Sequence, residues 1–514
     1  MTAPTIMIQG TASSVGKSLL VTALCRYFRR AGVRVAPFKS QNMALNAAVT
    51  PDGLEIGRAQ AVQAEAAGLA ASVDMNPILI KPEGDARSQV VVMGAPLASM
   101  AAAEYHEHKP ALRRVIADCL DRLRRDHDLV VIEGAGSPAE INLKERDIVN
   151  MHVARVADAP VLLVGDIDRG GVFAAFVGTL ALLEPDECER IAGFIINKFR
   201  GDRALLEPGL DFLTRRTGKP VAGVLPHLAR LRIADEDSLA LDDRAARPAP
   251  RADQLDIVVV RLPRISNHDD ALPLEHEPGV VVRFSDHTGD IGRADLVILP
   301  GSKSTGSDLG WLRAAGIADA LIARAAAGAP ILGICGGCQM LGETIDDPDR
   351  VESAAPRLVG LGLLPLRTRF GRTKRTAQVR ARVVGASFLT DGLALGAELG
   401  GYEIHMGAVE PTGSERGPFE IVARNGSATV ARDGAIGSGG AVVGTMVHGL
   451  FDDDALRGAL LAGLRRRRGL PAVPPGERTS AARAREYDRL ADAVHAHIDR
   501  DFLWRLARLP GSPP

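Results

Sequence analysis

The chain has 514 residues, and its 62 Lys plus Arg nearly cancel its 63 Asp plus Glu, leaving a formal net charge of −1. At roughly 100–200 residues per domain, this length predicts about two to four domains. Apolar residues make up 46%, too many for wholesale disorder, and the balanced charge leaves no footprint for nucleic acid or an acidic membrane.

Only five cysteines occur, Cys25, Cys119, Cys188, Cys335 and Cys338, which excludes a disulfide scaffold and predicts a reducing, cytoplasmic setting. No basic n-region precedes the first apolar segment, so no signal peptide is expected. No apolar run approaches the ~18 residues that a membrane helix needs.

In chain order, short apolar runs alternate with helical stretches. Strands are predicted at Thr5–Gln9, Val33–Phe38, Leu129–Glu133, Pro160–Gly165, Gly193–Asn197 and Val221–Leu225. Helices such as Lys17–Arg30 and Gly57–Ala70 fall between them; the first repeats Leu20, Val21, Leu24 and Phe28 on one face. This alternation predicts a doubly wound parallel α/β sheet with ligands at the carboxyl ends of its strands. A charged, Pro-containing stretch, 241–254, is the expected linker between a first unit, 1–240, and a second, 255–455. The second α/β series runs Asp256–Leu262, Val280–Phe284, Asp295–Leu299, Pro330–Ile334 and Ala441–Val447. A helical tail is expected over 456–514, with Arg465–Arg468 as a solvated basic helix end in preference to a nucleic-acid patch.

The first strand runs into Gly10-Thr-Ala-Ser-Ser-Val-Gly16-Lys17-Ser18 and then a helix. Such a turn aims backbone N–H groups at phosphate oxygens, at the positive end of a helix dipole. Gly10, Thr11 and Gly16 would form the cradle. Lys17 would reach the β- and γ-phosphates, and the Ser18 hydroxyl would bind Mg²⁺. Five residues separate the two glycines, one more than in the common phosphate loop, a spacing that resembles the dethiobiotin synthetase-like ATPases. Glu133 ends a strand and suits a Mg²⁺ ligand, the alternative being a solvated strand-end carboxylate. Asp166 and Asp168 admit the same two readings. Asn197 marks where a nucleotide base could lie, or is a turn residue.

Lysine is scarce: nine against 53 Arg. Six of the nine (Lys17, Lys39, Lys81, Lys144, Lys198 and Lys303) fall inside motifs, whereas Lys109, Lys219 and Lys374 do not.

The second half carries Pro330-Ile-Leu-Gly-Ile-Cys335-Gly-Gly-Cys-Gln-Met-Leu-Gly342, a strand, a Gly-x-Cys-x-Gly turn and a helix. It is the thiol counterpart of the serine nucleophile elbow. Cys335 is the candidate nucleophile, and Gly336 N–H a candidate oxyanion donor. Gly301, in a Gly/Ser loop after another strand, is the second donor. Cys335 and Cys338 also form a lone CxxC, so a redox pair stays open, although Cys338 reads better as a packed helical residue. His448, after the last apolar strand, is the candidate base, and His405 is the next in line.

A Gly-x5-Gly-Lys-Ser loop followed by a Gly-Ile-Cys-Gly-Gly elbow resembles the cobyrinic acid amidase family. Further matching stretches are Pro37–Asn46, Val73–Pro77, Ser88–Val92, Asp166–Phe173, Ile196–Asp202 and Gly401–Gly407, in order up to about Asp454. The resemblance implies a phosphate-loop parallel-sheet domain followed by a flavodoxin-like class I glutamine amidotransferase domain. It implies ATP, Mg²⁺ and glutamine, with Lys39 and Asn197 among the ATP contacts, and a corrinoid substrate. The narrower motifs resemble the branch that amidates the b, d, e and g carboxylates of adenosylcobyrinic acid a,c-diamide through acyl phosphates. The alternatives are the branch acting on the a and c carboxylates, a CTP synthase-like amidoligase, or a nucleotide-switched ATPase with a dead glutaminase. One departure stands out. Class I glutaminases usually carry His-Pro-Glu, but here Leu450 stands where the Glu would orient His448, so the orienting group is unidentified and slow glutaminase turnover is expected.

Overall fold

The computed structural model describes residues 2–84, 87–229, 231–234, 250–353, 355–414 and 416–513. The predicted linker lies outside the described residues up to 249.

Two parallel sheets organise the molecule. The first has the order Val221–Pro226, Ile191–Phe199, Val161–Asp166, Thr5–Gly10, Leu129–Glu133, Val35–Phe38, and every pair in it is parallel. Helices cover both faces, so the central strands are buried at every position instead of alternating, as Thr5–Gly10 and Leu129–Glu133 are. The crossover between Val35–Phe38 and Leu129–Glu133 is long. It carries the helix Arg58–Ala67, a four-stranded sheet (Gln41–Met43, Ile78–Pro82, Arg87–Val92, Ala95–Ala101) and the helix Ala102–Asp126. Of these elements the sequence predicts the first helix, as Gly57–Ala70.

The second sheet has the order Val280–Ser285, Leu255–Val260, Leu296–Leu299, Ile331–Ile334, Val442–Thr445, Ala435–Ile436, parallel except for its last strand. Beside it lies a largely antiparallel sheet built on two long strands, Leu366–Val383 and Glu398–Pro411. The apolar–polar alternation of Leu366–Val383 marks one buried face. Its basic residues masked that pattern in the sequence.

The expected helical tail is split between the two units. Leu456, Leu460 and Leu464 of the helix Asp454–Arg468 join the core of the second sheet. Tyr487, Leu490 and Val494 of the helix Thr479–His497, with Leu503 and Trp504 of Arg500–Leu506, pack against the first sheet and the helix Lys17–Arg30. The basic run is likewise split. Arg465 is buried and donates to the Pro471 and Gly279 carbonyls, while Arg468 pairs with Asp295 at 2.9 Å. Only part of it is a solvated helix end.

Candidate active sites

The phosphate loop joins the strand Thr5–Gly10 to the helix Lys17–Arg30, whose bounds match the prediction. Gly16 has φ 99°, in the left-handed region, and a Cβ there would lie 2.2 Å from Asn197 Nδ2. Glycine is therefore required on both conformational and steric grounds. Asn197 donates to Val15 O at 2.8 Å, and Thr11 N–H donates to Val164 O at 2.9 Å, so neighbouring strand ends clamp the loop. Lys17 Nζ donates to the loop's own Ala12 O at 3.0 Å and to Gly136 O at 3.1 Å. A Cβ on Gly10 would lie 2.9 Å from that ammonium.

Glu133 is 1% exposed, which excludes a solvated strand-end role. Its Oε1 accepts from Ser18 Oγ and from Lys39 Nζ, both at 2.8 Å, and its Oε2 accepts from Gln63 Nε2 at 2.6 Å. Lys39 thus contacts the carboxylate, and Gln63 is a site residue that sequence reasoning missed. A hydroxyl and a carboxylate oxygen side by side form a hard donor set that suits Mg²⁺, a cation that completes its octahedron with phosphate oxygens and water. Asp166 is buried and pairs with Lys198 at 2.8 Å, whereas Asp168 is exposed and pairs with Arg200. Among the described residues, neither is hydrogen-bonded to Glu133 or to its partners Ser18, Lys39 and Gln63. Beside Asn197 an apolar cleft is walled by Leu19, Leu20, Leu225, Leu228 and Leu490, the last from the C-terminal helix.

In the second unit Cys335 sits between the strand Ile331–Ile334 and the helix Gly336–Leu341 with φ 52° and ψ −111°, the strained geometry expected of a nucleophile elbow. The following glycines allow a close crossing: a Cβ on Gly337 would lie 1.9 Å from Leu299 O, and one on Gly336 2.8 Å from Ser302 N. Gly301 pairs with Ser266, and a Cβ on it would lie 3.4 Å from His448 Cε1. Ser302 Oγ donates to Asp308 at 2.6 Å and accepts from Ser304 N at 2.9 Å, which stiffens the loop that carries Gly301. Gly301 thus lies beside the candidate base, and that base lines one cleft with Cys335.

Cys338 is fully buried, which pushes its thiol well above the ordinary range, and its sulfur packs against Gly444. That is a core residue; the reactive partner of a redox pair would need access and a lowered pKa.

His448 lies 1% exposed just beyond the strand Val442–Thr445 and lines the same cleft as Cys335. Its Nδ1 is 2.6 Å from Asp270 Oδ2, and the other oxygen of Asp270 accepts from Gly449 N at 2.9 Å. Burial opposes the imidazolium charge, but Asp270, and after it Cys335, outweigh burial and push His448 up to about 10. The carboxylate set against His448, where Leu450 offers none, is thus Asp270, 178 residues earlier in the chain. Nothing in the local His448 motif announces it. The ring of Tyr402 stacks on His448 at 5.2 Å and 14°, and the two residues exchange backbone hydrogen bonds of 2.8 and 3.1 Å. His405 lines the same cleft, but burial pushes it down to about 4, which leaves it a neutral ring at working pH.

Both units build the cleft over Cys335. Lys81 and Gln89 come from the first, and Lys303, Glu352 and Lys374 from the second. Lys374, which belonged to no motif, is buried against Glu55 of the first unit and Gln89. Lys81 reaches the same Glu55 at 2.8 Å. Lys303 pairs with Glu83 at 2.9 Å.

Residues 6–241 match the CobQ/CobB/MinD/ParA nucleotide binding domain, and residues 256–456 match the CobB/CobQ-like glutamine amidotransferase domain. A cobyric acid synthase of Sorangium cellulosum is 64% identical over 99% of this chain and 99% of its own length. Those of Pelotomaculum thermopropionicum and Moorella thermoacetica are each 52% identical over 99% of this chain and 97% and 98% of theirs. With both sites present in one order and identity sustained over the full length, the chain belongs to the cobyric acid synthase family.

Proposed function

We propose that this protein is a glutamine-dependent amidoligase that converts the b, d, e and g carboxylates of adenosylcobyrinic acid a,c-diamide into amides, using ATP and glutamine. The observation that carries this reading is one chain holding both a phosphate loop with a buried carboxylate at Ser18 and a thiol elbow facing a carboxylate-held histidine. We divide it into a synthetase unit, 1–240, a linker, 241–254, a glutaminase unit, 255–455, and a C-terminal helical stretch, 456–514, that braces both.

In the glutaminase, His448 takes the proton of Cys335 as the sulfur attacks, and Asp270 stabilises the imidazolium that forms. The Cys335 thiolate attacks the side-chain carbonyl carbon of glutamine. The oxyanion is held by N–H groups at Gly301 and Gly336, and His448 returns its proton to the departing nitrogen, which leaves as ammonia. Water, deprotonated by His448, then cleaves the thioester to glutamate.

In the synthetase, a substrate carboxylate oxygen attacks the γ-phosphorus of ATP and expels ADP. Ammonia attacks the resulting acyl phosphate and expels phosphate. Lys17 and the loop N–H groups from Gly10, Thr11 and Gly16 neutralise the transferring phosphoryl group. Ser18 and Glu133 would hold Mg²⁺, which supplies further neutralisation of phosphate charge. The apolar cleft beside Asn197 suits the purine. Lys39 keeps the Glu133 carboxylate in place. The corrinoid is the small-molecule partner, and the protein works in the cytoplasm. Among the described residues no helix is long and apolar enough to cross a membrane.

Mass spectrometry of the products formed from the a,c-diamide, ATP and glutamine tests this reading. Four successive amidations are expected. No amidation, or amidation only of the a and c positions of a substrate that lacks those amides, overturns it.

A further inference from the structure

The groups that fix His448 do not end inside the glutaminase unit. Tyr402, stacked on the imidazole, has its hydroxyl held from two sides: Asn267 Nδ2 at 2.8 Å and Arg58 Nη2 at 2.5 Å. Asp269, the chain neighbour of the orienting Asp270, pairs with Arg58 Nε at 2.7 Å. Both acids belong to one short helical turn, His268–Ala271. Arg58 opens the helix Arg58–Ala67 of the synthetase unit, and its guanidinium also donates to Ala47 O at 3.1 Å and lies 5.4 Å from the Tyr402 ring. The ion pair is largely buried, with side chains 17% and 10% exposed. Asn267 completes the seam by exchanging hydrogen bonds of 3.0 and 3.3 Å with the backbone of Ala47.

Two adjacent buried carboxylates in one turn repel each other, and a buried carboxylate without a partner costs several kcal/mol or rearranges. Arg58 offsets this at Asp269, which leaves Asp270 free to serve His448. Its other arm pins the Tyr402 hydroxyl and thereby the ring against which the imidazole lies. A planar fork reaches both at once; an ammonium cannot.

We infer that Arg58 of the synthetase unit is a positioning residue of the glutaminase, setting His448 through Tyr402 and Asp269. The inference rests on the proposed function. It makes the glutaminase complete only when the synthetase unit is seated against it.

The test uses the full-length chain with Arg58→Ala, Arg58→Lys and Tyr402→Phe. Glutamate release gives kcat and KM for glutamine, and synthesis from ammonium chloride is measured in parallel. A misplacement of about an ångström at a catalytic group costs on the order of 100-fold, so Arg58→Ala should lower glutaminase kcat by roughly 10–100-fold. KM for glutamine should change by less than about threefold, because Arg58 is not among the residues lining the Cys335 cleft. Ammonia-dependent synthesis should stay within about twofold of the unaltered protein. Arg58→Lys should recover part of the loss, Tyr402→Phe should lose less than Arg58→Ala, and added guanidinium ion should partly restore Arg58→Ala. A glutaminase kcat unchanged in Arg58→Ala, a loss confined to KM, or a parallel fall with both nitrogen sources in Arg58→Ala and Arg58→Lys overturns the inference. Failure of the proposed function looks different: the unaltered protein itself would release no glutamate and amidate no corrinoid.

Discussion

The two candidate sites stand at the carboxyl ends of similar parallel sheets, yet they are assembled over very different distances along the chain. At the phosphate site, Gly10 to Ser18 form one continuous loop, and Glu133 is delivered by the strand that neighbours it in the sheet. At the thiol site, Cys335, Gly301, His448 and Asp270 come from separate connections, and residues of the other unit complete the walls. The difference follows from the chemistry. A phosphate is cradled by consecutive backbone N–H groups and a helix terminus, so a single turn suffices. Activating a thiol requires a base, an orienting acid and oxyanion donors to converge on one atom, and no single turn can aim side chains from all those directions.

Substitutions can break this comparison at either end. Lys17→Ala should have the largest effect, removing synthesis from both glutamine and ammonia by on the order of 10³ in rate, because a charge clamp on the phosphoryl group is lost. Lys17→Arg should fail as well, since the ammonium is packed against Ala12 O and Gly136 O and a planar fork does not fit a point-charge site. Near-normal ammonia-dependent rates in either variant would refute the phosphate-loop assignment.

Cys335→Ser should abolish glutamine use and spare ammonia use, as should His448→Ala. A variant of either residue that also loses ammonia-dependent synthesis while still folded would show that the sites are not separable.

Asp270→Asn sharpens the contrast, because it removes only the orienting charge. Glutaminase kcat should fall by on the order of 10²–10⁴ with ammonia use intact. The pH profile carries the sign. Asp270, together with Cys335, outweighs burial and raises His448 to about 10, so the imidazolium is held through neutral and mildly alkaline pH. Without that carboxylate the imidazolium loses its proton at lower pH, and the alkaline limb of glutaminase activity should move down. An unmoved limb would assign the orienting role elsewhere.

A smaller effect is expected from Leu490→Ala. It removes a buried side chain that the C-terminal helix packs beside the apolar cleft at Asn197. The cost in stability should be about 2–5 kcal/mol by denaturant titration, with a raised KM for ATP and little change in glutaminase activity. Cys338→Ser should matter least to catalysis. It exchanges a buried sulfur for a hydroxyl at a cost of about 1–3 kcal/mol and should keep most glutamine-dependent activity. A loss equal to that of Cys335→Ser would revive the redox pair.

Much of this architecture was legible in the linear chain. The parallel strands of both sheets could be read because strands buried on two faces are nearly continuous apolar runs, and the turns at Gly16 and Cys335 because their backbone geometry demands glycine at fixed spacing. The antiparallel strands were not legible, since one-sided burial leaves every second residue polar and Leu366–Val383 uses arginine there. Leu450 correctly announced that the usual orienting Glu was missing. That Asp270 lies against His448, that Gln63 holds Glu133, that Lys374 lies against Glu55 and that Arg58 reaches Tyr402 were decided only by tertiary structure. Each is a side-chain pair between elements far apart in sequence. A local motif records the backbone geometry a turn must adopt, but it holds no trace of which distant charge the fold will bring within hydrogen-bonding reach.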